Sequence, residues 1–358
     1  MSAVKKILPL VMFIIITLQV NEVFSQKYYF YTGKKYGSES MYNPINFFLN
    51  SGYDIIQYDK YSKNILKYPY GTGFKNVGQN LINPIGPINR YGWWNFFKRE
   101  VLPFAYSKDE SQWFPNYQLH LLGGGLTYAA LEDWYRYNKF SYPKTLAFTT
   151  KMMIDYMCES VENGDYVGDD VSVISDMYIF NLGGAILFSF EGVKKFFSEK
   201  LNFADWSLQP SFTIPTVSLE NNGQYFSMKW KIPYIPKIHL FYFFGMTTLT
   251  GLSYKFDSGD AISIGVGARA SDRFVTDPRT NRYEVAIAWD LGFFYDRNNS
   301  LMTSLFYSVY TENRLSLNVY PGLFKFGNLS PGFWVVLKNN GKMMFGLTTS
   351  WAPGIAFK

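Results

Sequence analysis

The chain has 358 residues, one Cys, two His, 20% aromatic residues and a formal net charge of +6. Its charged fraction of 17% lies below the usual value of about 25%, and 29 Tyr with 33 Phe argue against disorder and against an ordinary cytosolic enzyme. One Cys excludes a disulfide scaffold and a cysteine zinc site, and basic charge without a Lys/Arg stripe excludes nucleic acid as the expected partner.

Residues 1–25 read as a secretory signal. Lys5 and Lys6 precede an apolar run from Ile7 to Leu18, and a cleavage position follows Ser25, before Gln26. The run is too short to span a bilayer, which takes about 20 apolar residues. No later stretch reaches that length, so only a closed β-barrel could cross a membrane. The expected location is the outer membrane, reached by export.

Residues 26–115 form a Tyr-, Asn- and Gly-rich lead-in, expected to be irregular and packed by aromatics. Within it Trp93 to Val101 suits a short amphipathic helix, for a membrane surface or, preferably, for packing. A helical module is expected over 116–205, with three helices at His120–Tyr137, Thr145–Glu162 and Val171–Phe188. Asn163-Gly164 provides a stop and Asp169-Asp170 a start for these helices.

From 206 to 358 the chain alternates with period two. Ile262, Ile264, Val266 and Ala268 share one face, opposite Ser263, Gly265, Gly267 and Arg269. Tyr283, Val285, Ile287, Trp289, Leu291 and Phe293 likewise oppose Glu284, Ala286, Ala288, Asp290 and Gly292. Candidate strands are 209–219, 224–232, 239–256, 260–272, 281–296, 300–311, 313–326, 329–338 and 342–352. Their length, and aromatics near their ends (Tyr295, Tyr307, Tyr310, Tyr320, Trp334, Trp351), suit membrane strands with interfacial girdles. The expected fold is therefore mainly β: an antiparallel membrane barrel of 8–10 strands preceded by about three helices. Arg269, Glu284, Asp290 and Arg314 fall on the polar face as candidates for a lumenal ion network.

The chemistry-bearing residues lie in the helical module. His120 precedes Gly123-Gly124-Gly125. Asp155, Glu159 and Glu162 share a helix face, and Asp176 precedes Asn181 and Gly183-Gly184. Glycines within helices cost about 1 kcal/mol each, so these clusters imply close approach of another helix or of a ligand. His120, Glu159 and Asp176 are the candidate catalytic residues, and the same three are the candidate ligands of a divalent metal with open positions. A general acid–base pair is the alternative use of the same groups. The chain carries no Gly-x-Ser-x-Gly elbow, His-Glu-x-x-His or Walker loop.

The order His120-x-x-Gly-Gly, an acidic helix ending at Glu159 and Glu162, then Ser175-Asp176-x4-Asn181-x-Gly183-Gly184 resembles the VanZ-like and YfiM-like envelope families. The whole layout is similar to outer-membrane proteins of the Bacteroidota type, and the aromatic-ended C-terminus resembles their last strand. The resemblance implies an envelope location. The expected function is a structural or accessory subunit in an envelope complex or in envelope biogenesis, with outer-membrane lipids and an envelope protein as partners. The alternative is a lipid-modifying hydrolase using His120, Glu159 and Asp176.

Overall fold

The structure is a computed structural model that describes residues 27–58, 61–104, 113–277, 282–309, 312–327 and 329–358, with the side chains of 270–288 excepted. The signal segment, Tyr310 and the side chains of Tyr283 and Glu284 lie outside the described residues. The chain divides into two compact units, one of residues up to Thr32 with Pro69–Lys195, the other of Gly33–Tyr68 with Phe196–Lys358.

This division corrects the reading of 26–115 as one irregular lead-in. Much of it is helical, in Pro44–Ser51, Tyr70–Ile82, Ile85–Tyr91 and Trp93–Val101. Its asparagines act locally as helix caps. Asn43 accepts from the backbone N–H of Ile45 and Asn46 ahead of Pro44, whose fixed φ suits a first helical turn. Residues 33–68 belong to the sheet unit through long-range bonds: Gly37 N to Pro321 O (2.6 Å), Ser300 Oγ to Tyr36 O (2.8 Å) and Gly223 N to Asn50 Oδ1 (3.0 Å). Residues 27–32 are held in the helical unit, where Asp133 Oδ2 accepts the backbone N–H of Tyr29 (2.8 Å) and Phe30 (2.9 Å).

The three expected helices form as Gly124–Tyr137, Pro143–Asn163 and Val171–Leu187. The first is preceded by a π-helical run, Trp113–Gly123. No single helix among the described residues is long and apolar enough to cross a membrane.

The second unit is β-rich. Among the described residues its sheet has 13 strands, with Ala204–Asp205 at one edge and Ser218–Glu220 at the other. Setting aside the three strands of two or three residues leaves ten, which follow one another in antiparallel order from Phe226–Lys231 to Ala352–Phe357. The sheet is mixed, correcting the wholly antiparallel expectation, because Ala352–Phe357 pairs in parallel with Ser211–Thr213. Residues 204–213 thus touch both ends of the ten-strand run. Their first half pairs antiparallel with the start of that run, Trp206 N donating to Tyr225 O (2.8 Å) and Leu208 N to Gly223 O (3.0 Å). Their second half meets the last strand, Gly354 N donating to Pro210 O (2.9 Å).

Several boundaries differ from the sequence reading, among them 209–219, which is two short strands, Ser211–Thr213 and Ser218–Glu220. The segment 239–256 is two strands, Ile238–Phe244 and Thr247–Lys255, turned at Gly245-Met246, a pair with no strong turn signature. Residues 352–357 form a further strand beyond Trp351. The turn at Asn298-Asn299 has positive φ at both residues, the geometry that matches strand twist in a tight hairpin.

Burial across the sheet is inverted relative to a water-soluble fold. Ile262, Ile264 and Val266 are 52%, 44% and 55% exposed, whereas Ala261 and Ser263 between them are buried. Trp289, Phe293, Leu347 and Ile355 are likewise exposed. Lys229, Ser253, Asp290, Asp296 and Ser304 face inward and are buried.

The inner face also holds an aromatic cluster of Trp206, Tyr225, Phe241, Phe243, Phe294 and Tyr320, into which Met41 of the N-terminal helical segment packs. Tyr320 and Trp334 are therefore core residues rather than girdle residues. Gly346 makes room for the Trp334 indole, since a Cβ there would lie 2.3 Å from Nε1. Of the expected ion network, Arg269 and Asp290 do pair (3.3 Å), with Thr247 Oγ1 donating to Asp290 (2.9 Å). Arg314 is exposed and stands over the Tyr307 ring instead. Lys229 with Asp296 (2.7 Å) forms an inward pair that the alternation did not single out.

Candidate metal centre in the helical unit

Three segments bring His120, Glu159 and Asp176 together. His120 lies in the π-helical run before Gly124–Tyr137, Glu159 near the end of Pro143–Asn163, and Asp176 where Val171–Leu187 widens into π-helical turns at Asp176–Asn181. One ligand atom from each lies within 4.8 Å of the other two. π-turns inside helices recur at functional sites because they re-aim a side chain without ending the helix.

The glycine clusters make this convergence possible. A Cβ on Gly184 would lie 2.5 Å from Leu121 O and 3.1 Å from His120 O, and one on Gly125 would lie 2.9 Å from Gly184 O. Gly125 and Gly184 thus serve close backbone approach between two helices. The consequence is that His120 and Asp176 are carried on backbones that touch.

Partners fix each group. The His120 ring nitrogen Nδ1 is 3.2 Å from Asn181 Oδ1, an oxygen that also accepts from Lys151 Nζ at 3.3 Å. Since the ammonium can only donate, Asn181 presents its carbonyl oxygen to the ring. Nδ1 then carries the proton, leaving the Nε2 lone pair for a ligand. Asp176 accepts from Ser172 Oγ (3.2 Å) and Ser175 Oγ (3.1 Å), and the Asn116 side chain bonds it as well.

The charge balance is unusual. Burial, opposed by the Ser175, Ser172 and Asn116 bonds, pushes the Asp176 carboxyl up to about 7. Burial raises Glu159 well above the carboxylate range, and Asp176, Glu162, Asp170 and Asp155 push the same way. Burial lowers His120, favouring the neutral imidazole that binds metals. The nearest buried cation, Lys151, is engaged by Asp155 one turn along the same helix. Two carboxylates and one imidazole at this spacing are a donor set for a divalent cation such as zinc or manganese, with three protein ligands and open positions.

Of the acidic face expected on the second helix, Asp155 and Glu159 are buried and Glu162 is exposed. Sequence reading missed Lys151, though its i, i+4 spacing to Asp155 marks such a pair. It also missed Glu100. That carboxyl is pushed up to about 7 by burial and then by Asp176. It lies in an open cleft of about 450 Å³ with Arg90, Tyr91, Asp170 and Ser172. The cleft adjoins the centre, because Ser172 donates to Asp176 and Asn116 Nδ2 donates to Glu100 O (3.3 Å). Comparison with protein-family models, with curated proteins and with solved structures found no match for this chain.

Proposed function

We propose that this is an integral outer-membrane protein whose helical unit is a divalent-cation-dependent hydrolase acting on envelope lipid. The observation that carries the reading is the convergence of His120, Glu159 and Asp176 from three segments to within 4.8 Å, beside a cleft. A bound cation would polarise a carbonyl or phosphoryl oxygen and acidify a neighbouring water. Asn181 orients His120, Ser172 and Ser175 hold Asp176, and Glu159 supplies the second carboxylate.

Membrane insertion is supported by the exposed apolar and buried polar faces of the sheet, the pattern lipid requires. Closure of the ten strands into a barrel is supported by residues 204–213. One extended segment runs antiparallel to the first strand and parallel to the last, the direction a bridging strand must take. An interior filled by Met41, Trp206 and Phe243 disfavours a pore.

The test is metal content and native mass spectrometry on protein extracted from its own membranes in mild detergent. We expect about one equivalent of divalent cation, lost in Glu159→Gln and His120→Ala. A metal-free protein whose melting is unchanged by chelator would reject the reading. A second reading, a subunit without catalysis, is favoured by the exposed aromatics of the helical unit, Trp94 and Phe104 among them. A stoichiometric larger protein in the same spectrum would support it.

A further inference from the structure

Residues 93–101 form one continuous helical stretch with two different sides. Its exposed residues are Trp93, Trp94, Asn95, Phe97 and Arg99. Trp93, Trp94 and Phe97 are 45%, 70% and 44% exposed. On the opposite side Phe96 is buried against Ile88 and Ile174, and Glu100 is half-buried in the cleft. The stretch is thus a wall whose inner side helps line the cleft beside Asp176, while its outer side is aromatic.

Three large exposed aromatics within five residues exceed what an outward helix face carries by chance, and their chemistry selects the occupant. Trp and Phe beside Lys and Arg is the composition of helices that lie in a bilayer surface, rings at the acyl boundary and cations at anionic headgroups. Trp93 Nε1 already donates to Asn89 Oδ1 (2.8 Å), so its ring can enter an apolar layer with its N–H satisfied.

We infer that Trp93, Trp94 and Phe97 seat the helical unit on the surface of an anionic bilayer, with the Glu100–Ser172 cleft on the other side of the same stretch. The substrate of the neighbouring centre is then a lipid headgroup taken from that leaflet. This last step rests on the hydrolase reading, whereas the seating does not.

The test places a nitroxide at position 94 of the full chain, as Trp94→Cys in a Cys158→Ala background, in nanodiscs containing phosphatidylglycerol. Collisions with oxygen and with a water-soluble nickel chelate give its depth. A second label at Val266→Cys on the exposed sheet face reports whether the chain is in the bilayer at all. We expect both labels to favour oxygen several-fold, and the label at 94 to move toward water when Lys98 and Arg99 are both changed to Glu or the lipid is made wholly zwitterionic.

A water-accessible label at 94 beside a lipid-immersed label at 266 would overturn the seating and leave the membrane reading standing. Water access at both would overturn both. A label at 94 shielded from both reagents and immobilised would mean a protein partner or a second copy on this surface, which also overturns the inference. Metal content, measured on the same samples, separates these outcomes from failure of the centre.

Discussion

The two units solve the problem of charge burial in opposite ways. In the helical unit apolar side chains such as Leu126, Leu131, Ala147 and Val161 are buried, and the buried charges gather at a few places on the helices. In the sheet unit the exposed face is apolar and the buried face carries Lys229, Asp290 and Asp296 together with serines. Water selects the first pattern, and the second is the one on which the membrane proposal rests. The buried charges differ in kind as well. Those inside the sheet are paired, Lys229 with Asp296 and Arg269 with Asp290. Those around Glu159 and Asp176 face more carboxylates. Structural pairs neutralise themselves, whereas the crowded carboxyls of Glu159 and Asp176 hold their protons to higher pH.

The largest expected effect tests the boundary between those two kinds of charge. Lys151→Met removes the buried partner of Asp155 and the second donor to Asn181, and should cost about 3–5 kcal/mol in chemical denaturation. A cost below 1 kcal/mol would mean that Lys151 is not the structural partner of Asp155.

Val266→Arg asks which solvent the sheet face meets. At an exposed site in water the change is nearly neutral, but in lipid it should destabilise by about 2–4 kcal/mol, measured by unfolding in liposomes. A neutral result in liposomes would erase the contrast between the units.

Asp133 sharpens the comparison through pH. Burial, opposed by the N–H groups of Phe30 and Tyr29 and with Glu132 and Arg136 nearby, raises its carboxyl from 3.8 to about 6. The folded state therefore holds a proton that the unfolded state has released between those values. The contribution to stability is complete below pH 3.8 and is lost as pH rises through about 6. Its size is about 3 kcal/mol, from roughly two units at 1.36 kcal/mol each. Asp133→Asn should remove that slope from the difference between variant and parent melting curves between pH 4 and 6.5. Parallel curves would show that Asp133 stays ionised on its N–H groups.

The smallest effect concerns helix approach. Gly184→Ala places a Cβ 2.5 Å from Leu121 O, and should cost about 1–3 kcal/mol while weakening cation affinity by separating His120 from Asp176. Full stability with full affinity would mean that the glycines are not what sets the spacing of the centre.

The centre was legible because each of its helices carries a chemical oddity in an otherwise apolar pattern: a rare His, an acid face, or a Gly pair. The outward face of residues 262–266 was legible because period two survives in any solvent. The sign of that face was not, since a soluble sandwich alternates equally well, and only burial shows which side is out. The lead-in was misread because its helices are short and Asn- and Gly-rich, so their stability comes from capping and from bonds to residues such as Ser300 and Pro321, far along the chain. Trp334 and Tyr320 were assigned to a girdle because composition near strand ends carries no information on which face a ring occupies.

The parallel pairing of Gly354 with Ser211 joins residues at opposite ends of the sheet-forming segment, and Gly37 joins Pro321 across a longer span still. The first pairing cannot form before the last strand has been synthesised. Contacts of such sequence separation delay folding, because the intervening loop must close before any gain is realised. Until then the alternating strands present both apolar rows and unpaired edges, the combination that invites misassembly. A chain with this topology therefore leaves extended apolar segments uncovered until its own C-terminus arrives. Shortening the chain by its last strand should leave a product that is degraded or aggregated rather than a smaller working sheet.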